Sequence, residues 1–166
     1  AGDEVLLGDP MYATYHGLIA QTGASVVPVP LRPEHGFRMQ AADVAPRITP
    51  QTRLLCLNSP HNPTGAVLRP EDITELGALA KAHDLWILCD EVYEDLMFPG
   101  VPFTSPLDFP DLAERTIVMY STATGPHSGQ LVIHSNALPS PHIAALSGTG
   151  ITVPPPFLAV EGALDF

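Results

Sequence analysis

Two uninterrupted apolar runs, Leu54-Leu55-Cys56-Leu57 and Ile87-Leu88-Cys89, flank a stretch of helical periodicity, and this pattern constrains the fold more than any other feature of the chain. A strand that is apolar at successive positions is buried on both faces, which is the environment of a parallel sheet with helices on either side. Between the runs, Pro70 suits the first turn of a helix, and Glu71 and Asp72 suit the positive end of its dipole. Ile73, Leu76, Leu79 and Ala80 then form one stripe that closes at His83-Asp84. The spacing predicts strands at 53–58 and 85–89 with a helix over 70–83 crossing between them.

The rest of the chain extends the alternation. Glu4-Val5-Leu6-Leu7 reads as a strand stopped by Gly8-Asp9-Pro10, and residues 11–22 place Tyr12, Tyr15, Ile19 and Ala20 at helical spacing before Gly23, a suitable C-terminal cap. Strands are expected at 25–29 and 116–120, and a short helical turn around Ala41–Arg47. Alternating strands and helices imply an α/β domain built on a mainly parallel sheet. Beyond residue 116 no Lys or Arg occurs, and prolines cluster at 139, 141 and 154–156. A strand at Gln130–His134 and a helix start at Pro156–Leu164 are the expectations there.

Composition narrows the function classes. The formal net charge is −11, from 18 acids against 7 Lys plus Arg. Nucleic acid and anionic membrane surfaces demand a basic patch, so both are poor partners for such a chain. No apolar run approaches the ~20 residues of a membrane span, and no basic segment followed by an apolar one marks a signal peptide. The opening, Ala1-Gly2-Asp3 directly before a strand, suggests a fragment. Cys56 and Cys89 sit inside apolar runs, where a buried free thiol is the ordinary reading and a reducing, cytoplasmic setting the expectation. The 7 histidines have no metal-ligand spacing.

The chemistry-bearing stretch is Asn58-Ser59-Pro60-His61-Asn62-Pro63-Thr64-Gly65, directly after a buried strand, where open α/β sheets hold their ligands. Asp90-Glu91-Val92-Tyr93 follows the next strand. With Gly2-Asp3-Glu4-Val5 and Asp9-Pro10-Met11-Tyr12, these blocks stand in the order found in class I/II aminotransferases, pyridoxal-phosphate enzymes of fold type I, and the chain resembles that family almost continuously over 1–121. The likeness returns faintly at Ile143-Ala144-Ala145-Leu146 and over 152–164. It implies that residues 1–150 are most of the large, cofactor-binding domain with its first strand missing, and that 151–166 begin a truncated interdomain helix and small domain. The implied reaction is amino-group transfer between an amino acid and a 2-oxo acid on pyridoxal 5'-phosphate, in a homodimer.

By the same resemblance Asp90 holds the proton of the cofactor's pyridine nitrogen, which keeps that electron sink effective. Asn62 and Tyr93 bond its ring oxygen, Tyr12 stacks on its face, and Ser121 contacts its phosphate. Plainer roles compete: Asp90 capping the turn after its strand, Tyr93 and Tyr12 packing, Asn62 holding a turn before Pro63. The chain departs from the family where the Schiff-base lysine belongs. Ser121-Thr122-Ala123-Thr124 puts Thr124 at that position, and Ser128-Gly129-Gln130-Leu131 lacks the phosphate-gripping arginine. Lys81, the single lysine, falls on the 70–83 helix and is expected in solvent. No turnover is therefore expected of this chain alone. The rival readings are a non-catalytic cofactor-binding or assembly domain, a truncated or mis-joined gene product, and an unrelated nucleotide-binding α/β module, which no Gly-rich phosphate loop supports.

Overall fold

The computed structural model describes residues 2–119 in full and the backbone of 125–133 and 142–150. It divides into two units, 1–120 and 121–166. In the first, β1 (Glu4–Asp9), β2 (Ser25–Pro30), β3 (Thr52–Asn58), β4 (Trp86–Asp90) and β5 (Thr116–Met119) form one sheet in the order β2-β1-β3-β4-β5, with every neighbouring pair parallel. The helices are α1 (Ala13–Gln21), the four-residue α2 (Ala41–Val44) and α3 (Pro70–Ala82). In the second unit, β6 (Gly125–Ile133) pairs antiparallel with β7 (His142–Gly150).

The expected strands and the 70–83 helix are therefore present, several with ends displaced by a residue or two, and two differences are larger. Gly8 and Asp9 belong to β1 rather than to its stop, because β2 continues alongside through Gly8↔Val29 and Asp9↔Pro30. Only Pro10, which has no amide to give a ladder, ends the strand. The strand expected at Gln130–His134 starts earlier, at Gly125, and its last residue lies outside the described residues. So do Tyr120 and the helix start expected at Pro156–Leu164.

The order in which strands are added across the sheet reverses between β1 and β3. β1 leads to its neighbour on one side and β3 to β4 on the other, so right-handed crossovers put α1 and α3 on opposite faces of the sheet. Alternation along the strands sorts the core accordingly. Leu6, Leu55, Leu57, Ile87 and Cys89 meet Ile73, Leu76 and Ala80 of α3, whereas Val5, Leu7 and Cys56 meet Tyr15 and Ile19 of α1. Truncating a fully buried residue such as Leu76 to Ala would cost about 2–5 kcal/mol. The α1 face is the less covered: Leu54 and Leu88 are half-buried there, and Trp86 at the start of β4 is 47% exposed.

α3 begins where its sequence signals place it. The Asp72 carboxylate accepts from the Arg69 amide at 2.9 Å, from Arg38 Nε at 2.8 Å and from Gln40 Nε2 at 3.1 Å. One acid thus caps the helix and fastens it to the segment before α2. At the far edge of the sheet, Ser25 and Leu31 donate their amides to Asp3 and Asp9. Val26, Pro28 and Pro30 therefore face outward, and Arg47 Nε covers the Pro28 carbonyl at 3.0 Å.

Candidate functional site

A crevice at the carboxyl ends of strands, where neighbouring connections leave on opposite faces, is the ligand position of open α/β sheets. Here it lies at the ends of β1, β3 and β4. Pairing of Asn58 with Asp90 brings the ends of β3 and β4 level, so the loops after them emerge side by side.

Asp90 ends β4 on the α1 face, with its side chain buried. Tyr15 donates its hydroxyl to Asp90 Oδ2 from α1, and the Val92 amide donates to Oδ1 at 3.2 Å. The plainer role weighed for Asp90, capping the turn after its strand, is thus real. It leaves the carboxylate spare lone pairs, since an ionised carboxylate can accept about four hydrogen bonds. Burial first, then the bond to Asp90 and its charge, push the Tyr15 hydroxyl far above the ordinary tyrosine range, so it remains a donor.

Asn58 ties the Asp90 backbone to the loop that follows β3. Its Nδ2 donates to the Asp90 carbonyl at 3.1 Å, while its Oδ1 accepts from the Asn62 amide at 2.7 Å. The Ser59 amide reaches the same carbonyl at 3.0 Å. The loop then closes on itself: His61 and Ala66, and Gly65 and His61, are joined by backbone bonds, with Gly65 at φ +72°, a left-handed conformation that suits a residue without Cβ. His61 Nδ1 pairs with Thr64 Oγ1 at 2.7 Å, and burial lowers the pKa of the ring. The result aims Asn62 at Tyr93, with Nδ2 donating to the phenol oxygen at 3.3 Å.

Asn62, Asp90 and Tyr93 therefore share one edge of the sheet. Tyr12 stands at the N-cap of α1, 45% exposed, with its ring edge-on to that of Tyr15 at 5.6 Å between centroids. Ser121 and Thr124 lie outside the described residues. Lys81, 43% exposed, pairs with Asp111 on the opposite face of the sheet from Tyr15, as its solvent-facing position on the helix led one to expect. Tyr15 and Asn58 carry no role in the sequence reading. The signal for Tyr15 was its place one helical turn after Tyr12, and for Asn58 its place as the last residue of a buried strand. Among the described residues no group of His, Cys, Asp or Glu could hold a metal ion, and no helix is long and apolar enough to cross a membrane.

The fold and this edge define an open parallel α/β domain with a polar crevice at its switch point. The profile of "Aminotransferase class I and II" matches residues 1–125, and the chain belongs to that family. It is 51% identical over 120 residues to the arginine–pyruvate transaminase AruH of Pseudomonas aeruginosa, covering 72% of this chain and 30% of that protein. It is 43% identical over 123 residues to a probable N-succinyldiaminopimelate aminotransferase, DapC, of Mycobacterium tuberculosis, covering 74% and 31%. Among solved structures it matches the aromatic aminotransferase of Pyrococcus horikoshii with a TM-score of 0.70 and 35% identity, over 72% of this chain and 32% of the other. The chain thus spans about a third of the length of these relatives.

Proposed function

We propose that this chain forms the ring-binding half of a pyridoxal-phosphate site in an aminotransferase that exchanges amino groups between an amino acid and a 2-oxo acid. The observation that carries the reading is the Asp90 carboxylate, buried at a strand end, wedged between Tyr15 and the Val92 amide and sharing its edge with the Asn62–Tyr93 pair. The donor set fits the cofactor. Asp90 has a free lone pair for a protonated pyridine nitrogen, Asn62 and Tyr93 have hydrogens left for a ring oxygen, and Tyr12 offers an exposed aromatic face.

When bound, pyridoxal phosphate supplies an electron sink for the carbon from which the amino group leaves. The chain's own contribution is positional and electrostatic. Asp90 keeps the ring nitrogen protonated, and Tyr15 and Val92 fix the carboxylate's direction. Asn58 locks the Asn62 loop to the β4 end, so one hydrogen-bonded frame orients both contacts. Ser121 belongs to the phosphate side of the same reading. Thr124, at the lysine position, has a hydroxyl that forms no imine and shuttles no proton between substrate and cofactor, so this chain by itself turns over nothing. A homodimer and a cytoplasmic setting complete the family reading.

Binding should be weak and reversible, because loss of a charge-assisted phosphate contact costs about 1.5–3 kcal/mol. Calorimetric titration of the chain with pyridoxal phosphate, repeated on Asp90→Asn and Asn62→Ala, tests this. Weak binding abolished by either variant is the expected result, and micromolar or tighter binding would contradict it. Borohydride reduction followed by peptide mapping should give no specific lysine adduct. Binding that is absent altogether would favour a second reading, an assembly domain without cofactor, to which Thr124 and the lack of any arginine after residue 115 already point.

A further inference from the structure

We propose that Glu91 is a positioning residue for the Asp90 carboxylate, acting from the opposite face of the sheet through Ser105; its bearing on cofactor binding rests on the reading of Asp90 given above. Side chains alternate at the end of β4. Asp90 faces α1 and Tyr15, whereas Cys89 packs on the α3 side and Glu91 bonds to its thiol there. Glu91 is 2% exposed, more buried than Asp90 at 9%. A carboxyl buried to that extent is costly unless its oxygens are satisfied. Among the described residues the groups that act on its charge are the Cys89 thiol, the Ser105 hydroxyl and the further acids Glu94 and Asp108.

What Glu91 gains there is an anchor. Ser105 Oγ donates to its Oε1 at 2.8 Å. Ser105 itself opens a tight turn, Pro106–Asp108, closed by bonds from the Ser105 amide to Asp108 Oδ2 at 2.9 Å and from the Leu107 amide to Ser105 Oγ at 3.2 Å. Pro106 is fully buried, so the anchor is fixed in the body of the unit. The Glu91 backbone is pinned as well, its amide donating to the Met119 carbonyl at 2.8 Å and its carbonyl accepting from the Glu94 amide at 2.9 Å.

The two adjoining side chains are therefore gripped from opposite faces, Asp90 by Tyr15 and Glu91 by Ser105. Rotation of the strand end about its axis would displace both together. The Glu91–Glu94 bond also spans Tyr93, so the same anchor sets where the phenol meets Asn62. Side chains that orient a contacting residue hold it within the fraction of an ångström that binding requires.

The Tyr15 hydroxyl reports the position of Asp90 without any cofactor. With carbon-13 at tyrosine Cζ in the 166-residue chain, and Tyr15 assigned through Tyr15→Phe, the resonance should move in Glu91→Ala, and its ionisation should begin at lower pH. Glu91→Gln, whose carboxamide oxygen still accepts from Ser105, should restore it. In parallel, pyridoxal-phosphate affinity should fall about ten-fold in Glu91→Ala, the scale on which outer groups tune the metal ligands they orient. A folded Glu91→Ala chain with an unchanged Tyr15 resonance overturns the proposal, as does a resonance that Gln fails to restore. If Glu91→Ala does not fold, Ser105→Ala decides by the same resonance, which must move. A wild-type chain that binds no cofactor while Glu91→Ala still moves Tyr15 would leave the positioning role standing and remove the cofactor reading.

Discussion

Replacing Tyr15 by Phe removes a single hydroxyl and keeps the ring, which makes its consequence calculable. The ring stays packed against Val5, Leu7 and Cys56, so no cavity forms. What disappears is the bond to Asp90 Oδ2, between two groups that are each 9% exposed. Hydrogen bonds to charged groups are worth about 1.5–3 kcal/mol net, and the lower half of that range applies because Asp90 keeps its bond from the Val92 amide. A loss of about 1.5–2 kcal/mol follows. Urea unfolding at 25 °C measures it, with Trp86, the only tryptophan, reporting on the unit that contains Tyr15. Tyr12→Phe is the control, expected to stay within about 0.5 kcal/mol because Tyr12 is an exposed residue. The difference should also depend on pH in one direction. The folded chain holds the Tyr15 proton well above the point, near pH 10, at which an unfolded tyrosine releases it. Its stabilisation is therefore full below pH ~10 and is lost as pH rises further. A Tyr15→Phe chain as stable as Tyr12→Phe at neutral pH would refute the role given to this bond.

Three further outcomes are expected. Burial lowers the His61 pKa, so an unfolded chain takes up that proton first, and His61 makes stability fall as pH drops below about 6.5; His61→Asn should flatten the urea-midpoint profile there, and an unaltered profile would contradict this. Burial and the Asp90 charge push the Cys56 thiol up to about 12, and burial raises Cys89 as well, so a thiol reagent at pH 8 should find neither in the native chain and both in urea. In Gly77→Ala, helix propensity favours Ala by about 1 kcal/mol, but the new Cβ would come within 2.6 Å of Leu112 Cδ1, whose side chain is 2% exposed. Overpacking costs about 1–3 kcal/mol, so a net loss near 1 kcal/mol is expected, and a raised urea midpoint would show that Leu112 gives way freely.

The parts legible in the sequence are those decided by local pattern. The β3–α3–β4 unit combines apolar strands with a Pro-Glu-Asp helix start, and both signals act over a few neighbouring residues. The motif residues Asn62, Asp90 and Tyr93 were singled out by the family resemblance of the blocks that contain them, and the strands before those blocks only placed them at one end of the sheet. The extension of β1 through Gly8 and Asp9 was not legible, because it depends on β2 alongside. Nor could spacing separate Tyr12 from Tyr15. Both lie on one helical stripe, and only the position of the sheet decides that Tyr15 is buried against Asp90 while Tyr12 looks out. Glu91 is the extreme case. In the sequence it is only the second acid of a pair at a strand end, and its anchor comes from a turn 14 residues further on.

The two prolines of β2 give the sheet a direction of growth. At the outward positions 28 and 30 there is no amide to offer a neighbouring strand, and Arg47 already occupies the Pro28 carbonyl. Prolines confined to an edge in this way block further pairing. The other edge is different in kind. β5 contains no proline, and since Met119 turns its carbonyl toward Glu91, Val118 directs its amide away from β4. Any strand that joins this sheet, whether from the same polypeptide, another copy or an aggregate, is therefore steered to one side. A solubilising proline or lysine would have an effect at β5 that it could not have at β2.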